Sequence, residues 1–553
     1  MHRCRLPELV LAPTFHAGIT FAFTYLKNSL ENGFIMTLQT QKLPDLIEAM
    51  TRPEFYPHPV AEPIHLKQTH ISYVLLTGKY AYKIKKPVDF GFLDFTTIAK
   101  RKHFCERELE LNRRYSPSLY LEVVTLTHSE AGYRLGGEGK AVEYAVKMRE
   151  FPQEGLWSHC FEQGTLTREH MVALGKKMAD IHKGARTNAR IASYGSLSEV
   201  RAVAEENYLA TRKFVGKGQT REQWEQTRLF SENLFSNHGD WLEERRRDGK
   251  IRECHGDLHL NNICFCRGEI HVFDCIEFNP AFRNIDVIYD VAFLAVDLAS
   301  RDREDLAYVF LNTYLEHSGD YRGAGLLPLY CSMRAYIRAK VLSFMTEDEH
   351  ISPVERKSIA GRAMAFYHLA WRYTQTRVKT VWVVIGLSGS GKTTVAAQLS
   401  MLTGSVHLRS DAVRKHAAGM PLFERGGKDL YTPDMTELTY TRMSDYALHL
   451  VRHGMCVVLD AKYDRLAYRS ALVRSLSQEG VEMRWLECVA PPEVLRQRLG
   501  ERKGDVSDAT PDLLASQIKS QEPLTAEERA YAITLDTTTD WLPILSKIIL
   551  SEG

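Results

Sequence analysis

No two cysteines in this chain are spaced C-x-x-C, although there are ten of them. That excludes zinc ribbons and thioredoxin-type redox pairs. Cys264 and Cys266 stand two apart, where a strand would put both on one face. Scattered thiols of this kind are the pattern of a reducing, cytoplasmic compartment. An excess of one charge is lacking too. Lys+Arg 71 against Asp+Glu 69 leaves a formal net of +2, so no global field points to nucleic acid or a membrane surface. There is no internal repeat and no low-complexity tract. The one long apolar run, LVLAPTFHAGITFAFTYL at 9–26, is diluted by Pro13, His16, Gly18 and three threonines, which argues against a signal peptide or a membrane span. A second Met at position 36 opens the stretch that leads into LPDLIEAM, which has helical periodicity. Residues 1–35 therefore read as a non-native or poorly ordered extension: either translation naturally starts near Met36 or these residues are dispensable.

What is present begins with length. At 553 residues the chain exceeds one ordinary core and calls for two or three domains. SYVLLT, a turn at Thr77-Gly78-Lys79 and YAYKIKK predict a β-hairpin. Residues 96–114 predict a charged helix, AVEYAVKMREF a strand, and MVALGKKMADIHKGA an amphipathic helix. Beyond residue 275 the pattern is helical as far as Tyr373, with RAYIRAKVLSFM as one clear segment. A basic bridge, TQTRVKT, then leads into VWVVIGLSGSGKTT. The boundary is placed there, giving domains at 36–376 and 377–553.

VWVVI is apolar and β-branched, as a buried parallel strand would be. It runs into Gly386-Leu387-Ser388-Gly389-Ser390-Gly391-Lys392-Thr393, which fits GxxxxGK[ST] and opens the helix TTVAAQLSML, from Thr393 and Thr394 onward. Small residues let backbone N–H groups wrap phosphate oxygens, and the helix N-terminus adds its dipole. Lys392 would reach the β- and γ-phosphates of ATP, and Thr393 would ligate Mg2+. Downstream, HLRSDAVRKH presents Asp411 and Arg414, MCVVLDA ends a third strand at Asp460, and VEMRWLECVA is a fourth strand. Arginines follow at 496, 498 and 502. This order resembles the small P-loop kinases of the polynucleotide 5′-kinase, gluconate kinase and zeta-toxin group. The resemblance implies that Asp411 activates an acceptor hydroxyl beside Arg414, and that Arg498 and Arg502 belong to a basic lid. A helix N-cap is the structural alternative for Asp411, and a solvated helix face the alternative for the arginines.

The stretch ECHGDLHLNNICF at 253–265 carries two competing spacings. His255 and His259 are four apart, as zinc ligands on a helix would be, but Gly256 and paired asparagines favour a loop, and no Glu of the HExxH kind lies between the histidines. His255-x-Asp257-x-x-x-x-Asn262 is also a phosphotransferase catalytic-loop pattern. It continues into ICFCRGEIHVFDCIEF, a hairpin turning at Arg267-Gly268-Glu269 that delivers Asp274. The second reading accounts for more residues. HGDLHLNNI with FDCIEF resembles the aminoglycoside phosphotransferase and choline kinase branch of the protein-kinase-like fold. The resemblance implies Asp257 as catalytic base and Asn262 and Asp274 as magnesium ligands. YAYKIKK would supply the phosphate-anchoring lysine, Lys83, with Lys85 as its rival. A helix glutamate would partner it: Glu108, with Glu106 and Glu110 as alternatives. Asp286 and Asp290 read as structural caps. There is no GxGxxG before Lys83, where QTHISYVLL stands instead.

Together these features resemble the bacterial fusion of an aminoglycoside phosphotransferase-like domain with a P-loop domain, usually grouped with AAA-family ATPases. The expectation is an α+β protein-kinase-like domain followed by an α/β P-loop domain with a parallel sheet. Its activity would be ATP- and Mg2+-dependent phosphoryl transfer at two sites to hydroxyl-bearing small molecules. The competing classes are a ligand-binding regulator coupled to an ATPase switch, and a polynucleotide-type kinase in the C-terminal half. No aromatic-basic platform of the kind single strands need is evident for the latter.

Overall fold

The computed structural model describes residues 43–550 except 92, 350 and 503. The extension at 1–35 lies outside the described residues. The chain divides into two compact units. Unit 1 comprises the chain up to Leu166, Ala185–Leu294 and Met333–Trp371; unit 2 comprises Thr167–Gly184, Ala295–Ser332 and the chain from Arg372.

Unit 1 is α+β. Its strands β1 (His65–Gln68), β2 (Ser72–Leu76), β3 (Tyr80–Lys85), β4 (Tyr120–Ser129), β5 (Gly132–Leu135) and β6 (Lys140–Arg149) form one antiparallel sheet in the order β1-β2-β3-β6-β4-β5. The period of two along β3 sets its chemistry. Tyr82 and Ile84 pack with Ile47, Met50 and Leu126 on one side. Lys83 and Lys85 therefore project to the other side, under the helix Ile98–Arg113. That helix begins at Thr97, whose hydroxyl accepts from Lys100 N. A second region holds β7 (Ile251–Glu253) and the hairpin β8 (Ile263–Cys266) and β9 (Glu269–Val272). Arg267 and Gly268 both have positive φ there, the turn that suits a two-residue hairpin. β10 (Asn284–Asp286) pairs with β7, among helices that include Leu197–Thr211 and Arg221–Arg247.

Unit 2 is α/β. Strands β11 (Thr380–Ile385), β12 (Ser405–Arg409), β13 (Cys456–Asp460), β14 (Glu482–Val489) and β15 (Ala532–Asp536) are all parallel, in the order β12-β13-β11-β14-β15. Trp382, Val384, Val458 and Leu486 of the sheet pack on Val395, Ala396 and Leu399 of the helix Lys392–Thr403. The edge strand β12 is covered by the helix Glu304–Ser318. Asn312 donates to Ser405 O at 3.0 Å and accepts from His407 N at 2.9 Å, standing in for a neighbouring strand.

Candidate active sites

In unit 1 the site grows from the loop between β7 and β8. Gly256 has φ +84°, and a Cβ there would lie 2.7 Å from Phe282 O, so only glycine fits. Asp290 accepts from His255 N at 3.2 Å and Gly256 N at 2.7 Å, fixing the loop's backbone. Asp286 accepts two bonds from Arg245, at 2.7 and 2.8 Å, and one from Ile288 N. Asp286 thus stands at the start of the helix Val287–Ala299, whereas Asp290 lies inside it and holds the loop instead of capping. His255 is fully buried, which pushes its pKa down and keeps the ring neutral. Its Nε2 meets Phe273 O at 2.9 Å and its Nδ1 accepts from Asp257 N at 3.3 Å. Both ring nitrogens thus serve the loop's own backbone.

Asp257 is 2% exposed. Asn262 Nδ2 donates to its carbonyl at 3.0 Å and to its Oδ2 at 3.3 Å, and His259 Nε2 lies 3.3 Å from the same Oδ2. Asn262 immediately precedes β8, and its carbonyl accepts from Phe273 N at 2.9 Å, so the hairpin brings Asp274 back beside it. Asp274 itself sits at φ +62°, a conformation unusual outside glycine. It is held there by its neighbours: Asp274 N donates to Tyr120 Oη at 3.1 Å, and Cys275 N to Asn112 Oδ1 at 2.9 Å. Asn112 lies on the same helix as Glu108 and donates to its carbonyl.

Of the two candidate lysines, Lys83 reaches Asp274. Its Nζ is 2.8 Å from Glu108 Oε1 and 2.5 Å from Asp274 Oδ1. Those carboxylates outweigh burial and hold the ammonium charged. Lys85 Nζ turns to Glu108 Oε2 at 2.6 Å and to Glu277. Glu108 is the helix glutamate that points inward. Glu106 and Glu110 are instead exposed enough to pair with Lys102 and with Arg107 and Arg186. A cleft of about 170 Å³ opens beside Lys83 and Asp274, lined also by Val74, Ala81, Met148 and Phe151. Where a glycine-rich loop was missing from the sequence, the turn between β1 and β2 stands. Thr69 Oγ1 accepts from Ile71 N and Ser72 N, and Lys67, which also lines the cleft, donates to Gln153. Neither this turn nor Glu277 is legible in the sequence; FDCIEF contains Glu277, but nothing in its spacing marks it.

In unit 2 the phosphate loop runs from the end of the central strand β11 to Lys392, the first residue of its helix. Gly389 has φ +84°, and a Cβ there would meet Leu495 O at 2.7 Å. Ser388 and Ser390 are buried, Leu387 and Thr393 half-buried, and Thr394 exposed on the first helical turn. Lys392 Nζ donates to Leu387 O at 3.3 Å. Burial lowers its pKa, while Asp460 and Asp411 oppose that shift. Asp460 closes β13 in register with Val384 on one side and Arg409 on the other. Burial raises the Asp460 carboxyl, but His407, 3.3 Å away, together with Lys392 and Arg409, brings it down to about 2.

Asp411 is the second residue of the helix Ser410–Ala417, whose N-cap is Arg409. Arg414 is buried, and its Nη1 donates to Leu430 O at 3.3 Å and Thr436 Oγ1 at 3.1 Å. Arg502 Nε lies 3.4 Å from Asp505, and its charge is felt at Lys392. Arg498 is committed to the phosphate loop: it donates to Gly389 O at 3.4 Å and to Thr537 Oγ1 and O at 2.9 Å each. Thr537 in turn donates to Ser390 O at 2.8 Å. Thr537 was not singled out in the sequence, because nothing local connects it to a loop almost 150 residues earlier.

Comparison with known proteins follows this division of chemistry. Residues 102–327 match the phosphotransferase enzyme family, and residues 381–524 match an AAA domain. An uncharacterized protein of Mycobacterium tuberculosis (strain H37Rv) is 29% identical over 465 residues, covering 83% of this chain and 91% of that one. A probable gluconokinase of Xenopus tropicalis is 33% identical over 171 residues, covering 28% of this chain and 84% of that one. Among solved structures, a choline/ethanolamine kinase family protein from Mesorhizobium loti shares 12% identity over 59% of this chain and 98% of that one, with a TM-score of 0.36. The chain is a kinase in which a domain of the phosphotransferase enzyme family precedes a P-loop, kinase-like AAA domain.

Proposed function

We propose that the chain carries two separate sites of ATP- and Mg2+-dependent phosphoryl transfer, each acting on the hydroxyl group of a small molecule. The observation that carries this reading is Lys83 Nζ, held between Glu108 Oε1 and Asp274 Oδ1 in the same unit as Asp257 and Asn262. Phosphoryl transfer asks mainly for positioning and charge neutralisation. In unit 1, Lys83 neutralises phosphate oxygens, and Asp257 orients the acceptor hydroxyl and takes its proton. In unit 2, Lys392 and the loop amides bind phosphate, Asp411 takes the acceptor proton, and Arg414 and Arg502 supply further positive charge. The donor sets fit magnesium, a hard cation that prefers oxygen. Asn262 Oδ1 with Asp274 would hold it in one unit, and Thr393 Oγ1 with Asp460 in the other. When bound, the ion would neutralise charge on the phosphates.

The test uses the full chain and its Asp274→Ala and Lys392→Ala variants, with ATP consumption followed across a panel of hydroxyl-bearing metabolites. Each variant is expected to lose a different subset of substrates. Loss of every activity in either variant would replace two sites with one coupled site. Activity untouched by Asp274→Ala would leave unit 1 as a regulatory ligand-binding domain, and phosphorylation of nucleic-acid 5′ ends would assign unit 2 to polynucleotide-type kinases.

A further inference from the structure

Lys85 takes no part in the transfer described above, yet it is among the most deeply buried large side chains of the described residues, at 1% exposure. Its ammonium meets Glu108 Oε2 at 2.6 Å, meets Glu277, and lies 4.9 Å from the centre of the Phe95 ring. Five groups therefore alternate in sign along one line: Glu277, Lys85, Glu108, Lys83, Asp274. Three carboxylates face two ammonium groups. Glu108 and Glu277 are buried with the two lysines and balance them, whereas Asp274 stands partly exposed at the open end of the series. The backbone at the far end is also fixed, because Arg283 Nη1 donates to Ile276 O and Glu277 O.

We propose that Lys85 and Glu277 are positioning residues for the unit 1 site. By occupying Glu108 Oε2, Lys85 restricts Glu108 to a single oxygen in its contact with Lys83. Lys83 then keeps its other protons for Asp274 and for phosphate. Glu277 prevents Lys85 from leaving that post. Without the pair, both oxygens of Glu108 become available to Lys83, and the anchoring ammonium is drawn back toward the helix. This inference rests on the reading of unit 1 as a nucleotide site.

The experiment is Mg-ATP titration by calorimetry on the full chain carrying Lys392→Ala, so that the remaining binding reports on unit 1. Lys85→Met/Glu277→Met replaces the buried charges by apolar groups of similar length, an exchange that buried ion pairs often tolerate without loss of stability. It is expected to unfold at the parent's temperature and to bind Mg-ATP ~10–100-fold more weakly, the range typical of groups that orient a ligand-binding residue. Unchanged binding would overturn the inference. Should the double variant lose its fold, Glu277→Gln decides, since it removes the charge and keeps the shape: weakened binding in a natively folded protein supports the role, and unaltered binding ends it. A parent protein with no Mg-ATP binding in unit 1 overturns the nucleotide-site reading itself, and with it this inference. That result is distinct from a parent that binds and variants that bind equally well.

Discussion

At Asp411 the roles of proton acceptor and helix cap separate in the fold. The cap position belongs to Arg409, and Asp411 lies one residue inside the first turn, close enough to Lys392 to act on its charge. Asp411→Asn is expected to leave ATP affinity unchanged and to slow transfer by at least ~10²-fold, the loss typical of a general base. Steady-state kinetics with saturating acceptor would measure both, and a rate near the parent's would reduce Asp411 to a helix-terminus charge. The residues legible in the sequence share one property: their partners follow from short spacing or from the alternation of a strand. Asp257, Asn262 and Asp274 lie on one loop and hairpin, and Lys83 is fixed to its face by Tyr82 and Ile84. The choice between Lys83 and Lys85 was not legible, because both point to the same side and only tertiary packing decides which carboxylate each meets. Glu277 escaped for the same reason, its partner lying 192 positions away.

Among elements, four of the five strands of unit 2, from VWVVI to VEMRWLECVA, are legible because buried parallel strands are apolar runs, whereas the edge strand β15 is not. The cover of the opposite edge, at β12, is not legible either, since a helix that covers a sheet edge resembles any other amphipathic helix. Asn312 is the residue that joins them. Replacing it by alanine leaves Ser405 O and His407 N without their side-chain partner, at a cost of ~1–3 kcal/mol for groups left unsatisfied. Hydrogen exchange at the His407 amide is expected to accelerate in Asn312→Ala. Exchange at the parent's rate would show that the side chain adds nothing to the edge. The β1–β2 turn makes a related point for unit 1. Its Thr69 side chain satisfies the turn's own amides, so a short polar turn stands where flexible glycines were absent.

At the scale of the whole molecule, one buried lysine makes a contribution to stability that rises with pH. Lys340 is 4% exposed, and burial lowers its pKa to about 8, with Glu206 at 3.8 Å opposing only part of that shift. Below about pH 8 the ammonium is charged in both folded and unfolded chains, and the folded state bears the desolvation. Between about 8 and the ordinary value of 10.5 the folded chain loses its proton first, so the penalty is relieved as pH rises. Lys340→Met is therefore expected to raise the melting temperature at pH 7, by the equivalent of roughly 1–3 kcal/mol, and to change it little near pH 10.5. A variant that melts below the parent at pH 7 would contradict this. The order of synthesis gives the edge cover of unit 2 a further meaning. The helix Glu304–Ser318 leaves the ribosome before any strand of the sheet, and roughly 90 residues separate its end from that of β12, or about 5–18 s at ordinary elongation rates. The strand is thus synthesised after its cover, so the partner for its edge is already part of the chain when it emerges. A permuted gene that makes the sheet first would reverse that sequence, leaving β12 exposed to strands of neighbouring nascent chains while its helix is still being translated.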